Sequence, residues 1–168
     1  MTKRILRVLL ATSFLLVGPH ALALAPPSDK KVVLDLREIV EPDLASNRRI
    51  QGLLELQSAT LLSKKLISED RCSATVRLVK VRNKRPFPPV EQVTGYRYQD
   101  VEILWRMPTG VKLVEEIEVM YRLRQGEWHI ENVRQTKVDA EEFQLSYKLA
   151  QLDFEREQRT RQNPNPAH

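Results

Sequence analysis

Five side chains in the C-terminal half of the sequence carry the chemical groups of a ligand pocket. They supply carboxamides, a carboxylate, a phenol and a guanidinium, and strand alternation places them on one otherwise apolar sheet face. These candidates are Gln99, Glu115, Tyr121, Asn132 and Arg134. A polar group on a covered face needs a partner or costs roughly 1–3 kcal/mol. The groups therefore form an internal network or lie at an exposed sheet end, or else they line a cavity for a small apolar or lipidic ligand.

Acid–base catalysis is the most reactive chemistry that this set offers. An isomerase needs a carboxylate as the base and a proton donor beside it, and Glu115 with Tyr121 would supply both. However, the predicted register places Arg134 diagonally across from Glu115, where it would hold the carboxylate ionised as a poor base. We therefore predict no catalytic residue and a protein that is not an enzyme.

Metal and nucleophile chemistry have less support. Cys72 is the one cysteine, so an internal disulfide is impossible and a buried thiol is expected. His129 alternates with Glu127 and Glu131 on the wetted sheet face, where a solvated histidine is the ordinary case. We predict no metal site and no cofactor.

A basic, proline-rich loop is the first candidate for a partner contact. Bases at Arg82, Lys84 and Arg85 precede Phe87, which is surrounded by prolines. Prolines lower the entropy lost on binding, so the loop is suited to dock an anionic surface or a protein. The alternative is a solvated connector with Phe87 packed into the domain.

The predicted C-terminal helix is the second candidate because it has two apolar sides. One stripe at helical spacing contains Phe143, Tyr147, Ala150 and Phe154. Leu145, Leu149 and Leu152 lie on nearly the opposite side. One stripe can cover the sheet, and the other needs a second surface. That surface is another element of the domain, a second subunit or another protein.

Two tight turns register the sheet that would carry the pocket. Gln125-Gly126 reads as a two-residue hairpin loop, and Pro108-Thr109-Gly110 as a three-residue loop. The strands are expected at 74–81, 96–107, 111–124 and 127–136. This register pairs Tyr121 with Ile130, Val119 with Asn132 and Ile117 with Arg134, and it turns Trp105, Leu113 and Trp128 towards the helices.

Helices are expected before and after this sheet. A first short element at 32–40 is a short strand or a helix, with helix favoured, and it ends at Pro42-Asp43. Leucine and isoleucine spacing from Ser46 to about Ile67 predicts an amphipathic helix, which Gly52 weakens. Asp139 with Glu142 resembles a capping box that starts the last helix, running from Ala140 to about Arg159.

The N-terminus has the pattern of a cleavable secretory signal. A basic start precedes a short apolar run, and Ala21-Leu22-Ala23 supplies a cleavage site, so residues 1–23 are expected to be removed after Ala23. Removal takes three of the 27 bases, leaving 24 against 22 acidic residues, a net charge of +2. That charge and a periplasmic location both argue against a nucleic-acid partner. No later apolar run is long enough for a transmembrane segment.

One segment carries a family resemblance. The stretch from Tyr121 to Val133, an apolar strand followed by Gly126-Glu127-Trp128 and an alternating strand, resembles the last hairpin of cone-shaped α+β domains of the nuclear-transport-factor-2-like superfamily. It is also similar to the end of periplasmic phospholipid-shuttle proteins of the toluene-tolerance type. The resemblance covers about a third of the chain. It implies a cone-shaped fold with a pocket, and it implies no single function.

These observations predict an α+β protein. Its curved antiparallel four-stranded meander is packed on one face by an N-terminal and a C-terminal helix. A flexible lead-in at 24–31, a single domain at 32–160 and a disordered tail at 161–168 follow the signal peptide. We expect a non-catalytic periplasmic binding or scaffold protein that contacts an envelope protein or a second copy of itself. A carrier of a small apolar or lipidic ligand is the alternative, and an isomerase-like enzyme is third.

Overall fold

Three helices and two β-hairpins follow one another along the chain. The computed structural model describes residues 25–47, 50, 52–87 and 97–162. In these ranges the elements are α1 (Asp29–Ser46), β1 (Leu54–Ser68), β2 (Arg71–Arg82), α2 (Arg97–Arg106), β3 (Lys112–Arg124), β4 (Glu127–Asp139) and α3 (Glu141–Gln162). The predicted α+β class, with one four-stranded antiparallel sheet flanked by an N-terminal and a C-terminal helix, is confirmed.

The four strands pair in sequence order, β1-β2-β3-β4. Turns at Glu69-Asp70 and Gln125-Gly126 close the two hairpins at the same end of the sheet. There the Leu123 N–H donates to the Asp70 carbonyl at 2.8 Å, which ties the hairpins together. The opposite end carries the longer connections through α2 and into α3.

Helix α1 covers one sheet face, which we call the inner face. The fully buried Val32 and Leu36 of α1 pack on alternate residues of β2 and β3. The buried core there comprises Val32, Leu36, Cys72, Ala74, Val76, Leu78, Ile117, Val119, Tyr121 and Trp128. Cys72 is the buried thiol that was expected, and burial raises its pKa, which makes it a poor nucleophile.

A second apolar cluster lies where α2, α3 and the end of the sheet meet. Its buried members are Leu53, Val101, Ile103, Leu104, Met107, Val111, Ala150 and Phe154. The C-terminal helix therefore packs mainly on α2, and it also contacts the sheet at β3.

The helix expected from Ser46 to Ile67 is wrong, because this segment forms β1. Bulges interrupt its pairing with β2 between Leu56 and Ser58, Leu61 and Ser63, and Leu66 and Ser68. Each extra residue resets the alternation, so the inner face receives side chains at alternating steps of three and two. These residues are Leu56, Ala59, Leu61, Lys64 and Leu66. These steps match neither the strict two-residue alternation of a regular strand nor the spacing of a helical stripe, so the apolar pattern did not identify the strand. Gly52, at φ +66°, turns the chain just before the strand.

The strand expected from Tyr96 to Met107 is also wrong, because residues 97–106 form α2. Val101, Ile103, Trp105 and Met107 alternate as in a strand, yet Val101 with Leu104 and Ile103 with Met107 are equally well spaced for a helix. All of these except Trp105 are buried, and Trp105 is 39% exposed. The three-residue hairpin at 108–110 and its pairings are lost with the strand.

Strands β2, β3 and β4 confirm the remaining strand predictions. The expected pairs from Arg124–Glu127 to Tyr121–Ile130 are present. Beyond them the register shifts, so Val119 pairs with Val133 rather than with Asn132. Ile117 pairs with Gln135 rather than with Arg134. The cause is a bulge at Glu131, which a sequence pattern of simple alternation does not reveal.

The predicted signal peptide lies outside the described residues, as do residues 88–96 of the proline-rich loop and residues 163–168 of the predicted tail. Ser28 caps α1 by accepting the Lys31 N–H, so the helix begins within the expected lead-in, and it continues through Pro42. The Trp128 indole N–H donates to the Ala25 carbonyl at 2.8 Å, which holds the lead-in against the sheet. None of the helices in the described ranges is both long and apolar enough to cross a bilayer.

The turn between β3 and β4 gives a stability prediction. Gln125 and Gly126 both adopt positive φ, 52° and 84°, as a type I′ turn requires. Asn tolerates this conformation better than Gln, so Gln125→Asn should raise the free energy of unfolding by about 0.5 kcal/mol. Gly126→Ala should lower it by about 1 kcal/mol. Urea unfolding measures both, and a destabilising Gln125→Asn would contradict this turn geometry.

Candidate protein-binding surface

Helix α3 follows β4 with one residue between them. Asp139 is the last residue of β4 and pairs with Val114. The Ala140 carbonyl accepts the Gln144 N–H at 2.7 Å, so Ala140 rather than Asp139 opens the helix. This direct connection fixes the start of α3 to the edge of the sheet.

The aromatic stripe of α3 is used to hold the helix on α2. Phe154 and Ala150 are buried in the second cluster, with Phe143 and Tyr147 packed against it. The Arg106 guanidinium lies 5.5 Å from the centre of the Phe154 ring. These contacts fix which side of α3 faces the domain.

Ion pairs strengthen this helix–helix contact. Arg106 donates to Glu157 of α3 at 2.9 and 3.0 Å, and to Glu102 of its own helix at 2.6 and 3.2 Å. The bonds to Glu157, and then those to Glu102, raise the pKa of Arg106. Arg106 therefore connects α2 to the C-terminal half of α3 through both charge and ring contacts.

The leucine stripe on the opposite side of α3 is exposed. Leu145, Leu149 and Leu152 are 61%, 56% and 49% exposed, and we call them the outer leucine face. Single exposed leucines are common on protein surfaces, but three at positions i, i+4 and i+7 form one continuous apolar strip. The strip is free to contact another molecule, because the aromatic stripe already packs on α2.

Charge along α3 is polarised. Glu141 and Glu142 occupy the first turn, and Arg159 and Arg161 the last. The acidic end adjoins a depression of about 460 Å³ lined by Lys112, Val114, Asp139, Glu141, Glu142 and Leu145. The outer leucine face therefore runs from an acidic hollow at one end to a basic helix end at the other.

Arg82 is placed in the interior by the structure, which contradicts its assignment as a partner contact. Its Nε donates to the Leu104 carbonyl at 3.0 Å, and its Nη2 donates to the Trp105 carbonyl. Both carbonyls belong to the last turn of α2, where the Leu104 carbonyl also accepts the Met107 N–H at 3.3 Å. The guanidinium therefore caps the end of the helix.

In the rest of the basic loop, two residues fit a partner contact and one fits a connector packed into the domain. Lys84 and Arg85 are exposed, as a partner contact requires. Phe87 is half-buried, with its ring centre 5.5 Å from that of Tyr98 and 5.6 Å from that of Trp105. Phe87 thus packs into the domain, as the connector alternative expected.

Among the pocket candidates, Glu115 is buried and paired with a residue that the sequence did not indicate. Its Oε2 accepts a bond from Lys80 Nζ at 2.6 Å, and both side chains are largely shielded from solvent. The predicted network between Glu115 and Arg134 is therefore wrong. Strand alternation could have identified Lys80 as the partner, because it places Lys80 on the inner face two residues after Leu78.

Tyr121 is fully buried beneath α1. Burial, and then the nearby Asp35 carboxylate, raise the pKa of its hydroxyl. Tyr121 and Glu115 are six residues apart on β3, which separates them by roughly 20 Å. They do not meet as the base and proton donor of one site.

The other three pocket candidates are exposed and lie apart. Gln99 is on α2, and Asn132 and Arg134 are on β4. The bulge at Glu131 moves Asn132 and Arg134 to the outer sheet face, where Arg134 donates to Glu118 at 2.6 Å. This bond, and then one from Ser73, lower the pKa of Glu118. The structure therefore does not bring the five candidates together.

Among the side chains that the structure describes, no group of three His, Cys, Asp or Glu residues is close enough to hold an ion.

Comparisons with protein-family models, curated proteins and solved structures found no match to this chain. The resemblance to the nuclear-transport-factor-2-like superfamily therefore stays a prediction.

The Lys80–Glu115 pair predicts strong coupling in a mutant cycle. Lys80→Met should cost roughly 3 kcal/mol of unfolding free energy, because it leaves a buried carboxylate unpaired. Lys80→Met with Glu115→Leu should recover most of that loss. Urea unfolding measures each variant, and the exposed Lys65→Met serves as a control. Equal losses in the single and double variants would show that the pair is not coupled.

Arg82 and Lys84 provide a matched test of structural and surface roles. Arg82→Met removes two charge-assisted bonds to the end of α2 and should cost roughly 3 kcal/mol. Lys84→Met should change stability by less than about 0.5 kcal/mol, because Lys84 is exposed. Tryptophan fluorescence, from Trp105 and Trp128 together, measures the urea unfolding of each variant. Equal stabilities for the two variants would contradict the capping role.

Proposed function

We propose that this chain is a non-catalytic binding or scaffold protein of the bacterial envelope that acts through protein contacts. The observation that carries the proposal is the outer leucine face, an apolar strip on a helix whose other apolar side already packs on α2. The export pattern of residues 1–23 supports a periplasmic location for this role.

The shape of the strip favours a helix as the bound element. The seven-residue separation of Leu145 and Leu152 spans about 10 Å of helix, or two turns. A strip one side chain wide with charged flanks matches the apolar face of one amphipathic helix, which binds through anchors spaced at i, i+4 and i+7. The first turn of α3 is acidic and its last turn is basic. A bound helix with basic residues beside the first turn and acidic residues beside the last would be favoured.

The alternative functions have less geometric support. A ligand carrier would need the five pocket candidates around one cavity, and they lie on separate surfaces or in separate parts of the interior. The isomerase-like alternative would need Glu115 beside Tyr121, and the length of β3 between them keeps them apart.

Site-specific photo-crosslinking in cells tests the proposal. A photoreactive amino acid at Leu149 should give a discrete crosslinked protein, and the same probe at exposed Lys65 of β1 should give none. Leu145→Gln with Leu152→Gln should abolish the crosslink, because Gln keeps helix propensity but removes the apolar strip.

Stability separates a binding role from a core role. The same two Gln substitutions should change the unfolding free energy of the monomer, measured at protein concentrations too low for self-association, by less than about 1 kcal/mol, because the leucines are exposed within one copy. A loss of more than about 3 kcal/mol would assign the leucines to the domain's own packing. Equal crosslinking at Leu149 and Lys65 would also contradict the proposed function.

A further inference from the structure

We infer that the helix bound by the outer leucine face is α3 of a second copy of this chain, lying antiparallel across a two-fold axis near Leu149. This inference rests on the proposed function and names its partner. It follows from the symmetry of the apolar strip and of the charges around it.

The leucines are centred on the proposed axis. Leu149 is the middle member of the strip, with Leu145 four residues before it and Leu152 three residues after it. Antiparallel packing about this point lays each strip along the other, so both apolar strips are removed from water together. A two-fold contact of this kind uses the same patch on both copies and closes at two subunits.

The charges complement each other in the same register. The two-fold rotation about Leu149 places Arg156 of one copy opposite Glu142 of the other, because each lies seven residues from Leu149. It places Arg159 within one turn of the other copy's Glu141. At 3.6 residues per turn, Glu142 and Arg156 flank the same side of the strip, and Glu141 and Arg159 flank the other side. Glu142 with Arg156 and Glu141 with Arg159 are therefore the acid–base matches of this register, and the nearby Asp153 and Glu155 face Arg156 and Arg159 of their own helix.

The arginines are available for such pairing. Arg156 and Arg159 are 80% and 82% exposed, and their contacts within α3 are long, at 3.7 Å to Asp153 and 3.8 Å to Glu155. The depression beside Leu145, with Asp139, Glu141 and Glu142 in its lining, offers an acidic hollow for them. A parallel pair would instead place acid against acid and base against base, which is unfavourable.

Charge-reversal variants that complement each other test this geometry. Sedimentation equilibrium of the chain beginning at Leu24 should show a dimer. E141R/E142R and R156E/R159E should each weaken dimerisation about tenfold or more, because attraction becomes repulsion at both ends. An equimolar mixture of the two variants should form a heterodimer with a Kd within about threefold of the parent value.

Controls separate this effect from net charge and from unfolding. K65E/R124E changes net charge by the same amount as R156E/R159E, but on exposed residues away from α3, so it should dimerise like the parent. Circular dichroism and urea unfolding confirm that each variant is folded. Raising the salt concentration should weaken the parent dimer only partly, because the leucines supply the apolar share.

Each outcome decides between the claims. A heterodimer from two variants that are separately monomeric supports the antiparallel pair. A parent dimer that neither charge reversal weakens overturns it. A monomeric parent that still crosslinks to a different protein at Leu149 overturns the self-association but keeps the proposed function. A monomeric parent without any crosslink at Leu149 overturns both.

Discussion

The buried guanidinium of Arg82 is the contact on which the second half of the molecule depends. It binds the last carbonyls of α2, while the backbone of the same residue bonds to Val111 and Gly110 at the entry to β3. Its Nη1 is buried and has no hydrogen-bond partner among the described residues, a cost that the other bonds must offset. Because α2 in turn carries Arg106, one residue at the end of β2 sets the position of both later helices.

Helix α3 shows how one amphipathic segment can serve two surfaces. Its aromatic side is occupied by α2, and the contact of Arg106 with Glu157 and Phe154 fixes the rotation of the helix about its own axis. The leucines cannot turn inward without breaking that contact. Their exposure is thus a consequence of how the domain packs. The opposite charges of the first and last turns of α3 limit the direction in which a bound helix can run.

Alternation and turn chemistry predicted β2, β3, β4, the Gln125-Gly126 turn and α3 from sequence. The predictions for β1 and α2 were wrong for the same reason. The spacing of apolar residues does not identify either element by itself, so tertiary contacts decide between helix and strand. In β1, bulges removed the two-residue alternation that identifies a strand, and in α2, apolar residues at alternate positions resembled a strand although the segment is a packed helix. The leucine strip was foreseen because helical spacing is local. The pocket was not, since a single extra residue at Glu131 turned Asn132 and Arg134 to the other side of the sheet.

The irregularities of the two outermost strands have a further effect. Among the described residues, the outer edges of β1 and β4 have no neighbouring strand, and such an edge in a flat strand would template the addition of further chains. Extra residues near Gln57, Leu62 and Ile67 on β1, and at Glu131 and Thr136 on β4, break both edges into short twisted pieces. Open-ended growth by strand addition is thereby disfavoured at both edges of the sheet.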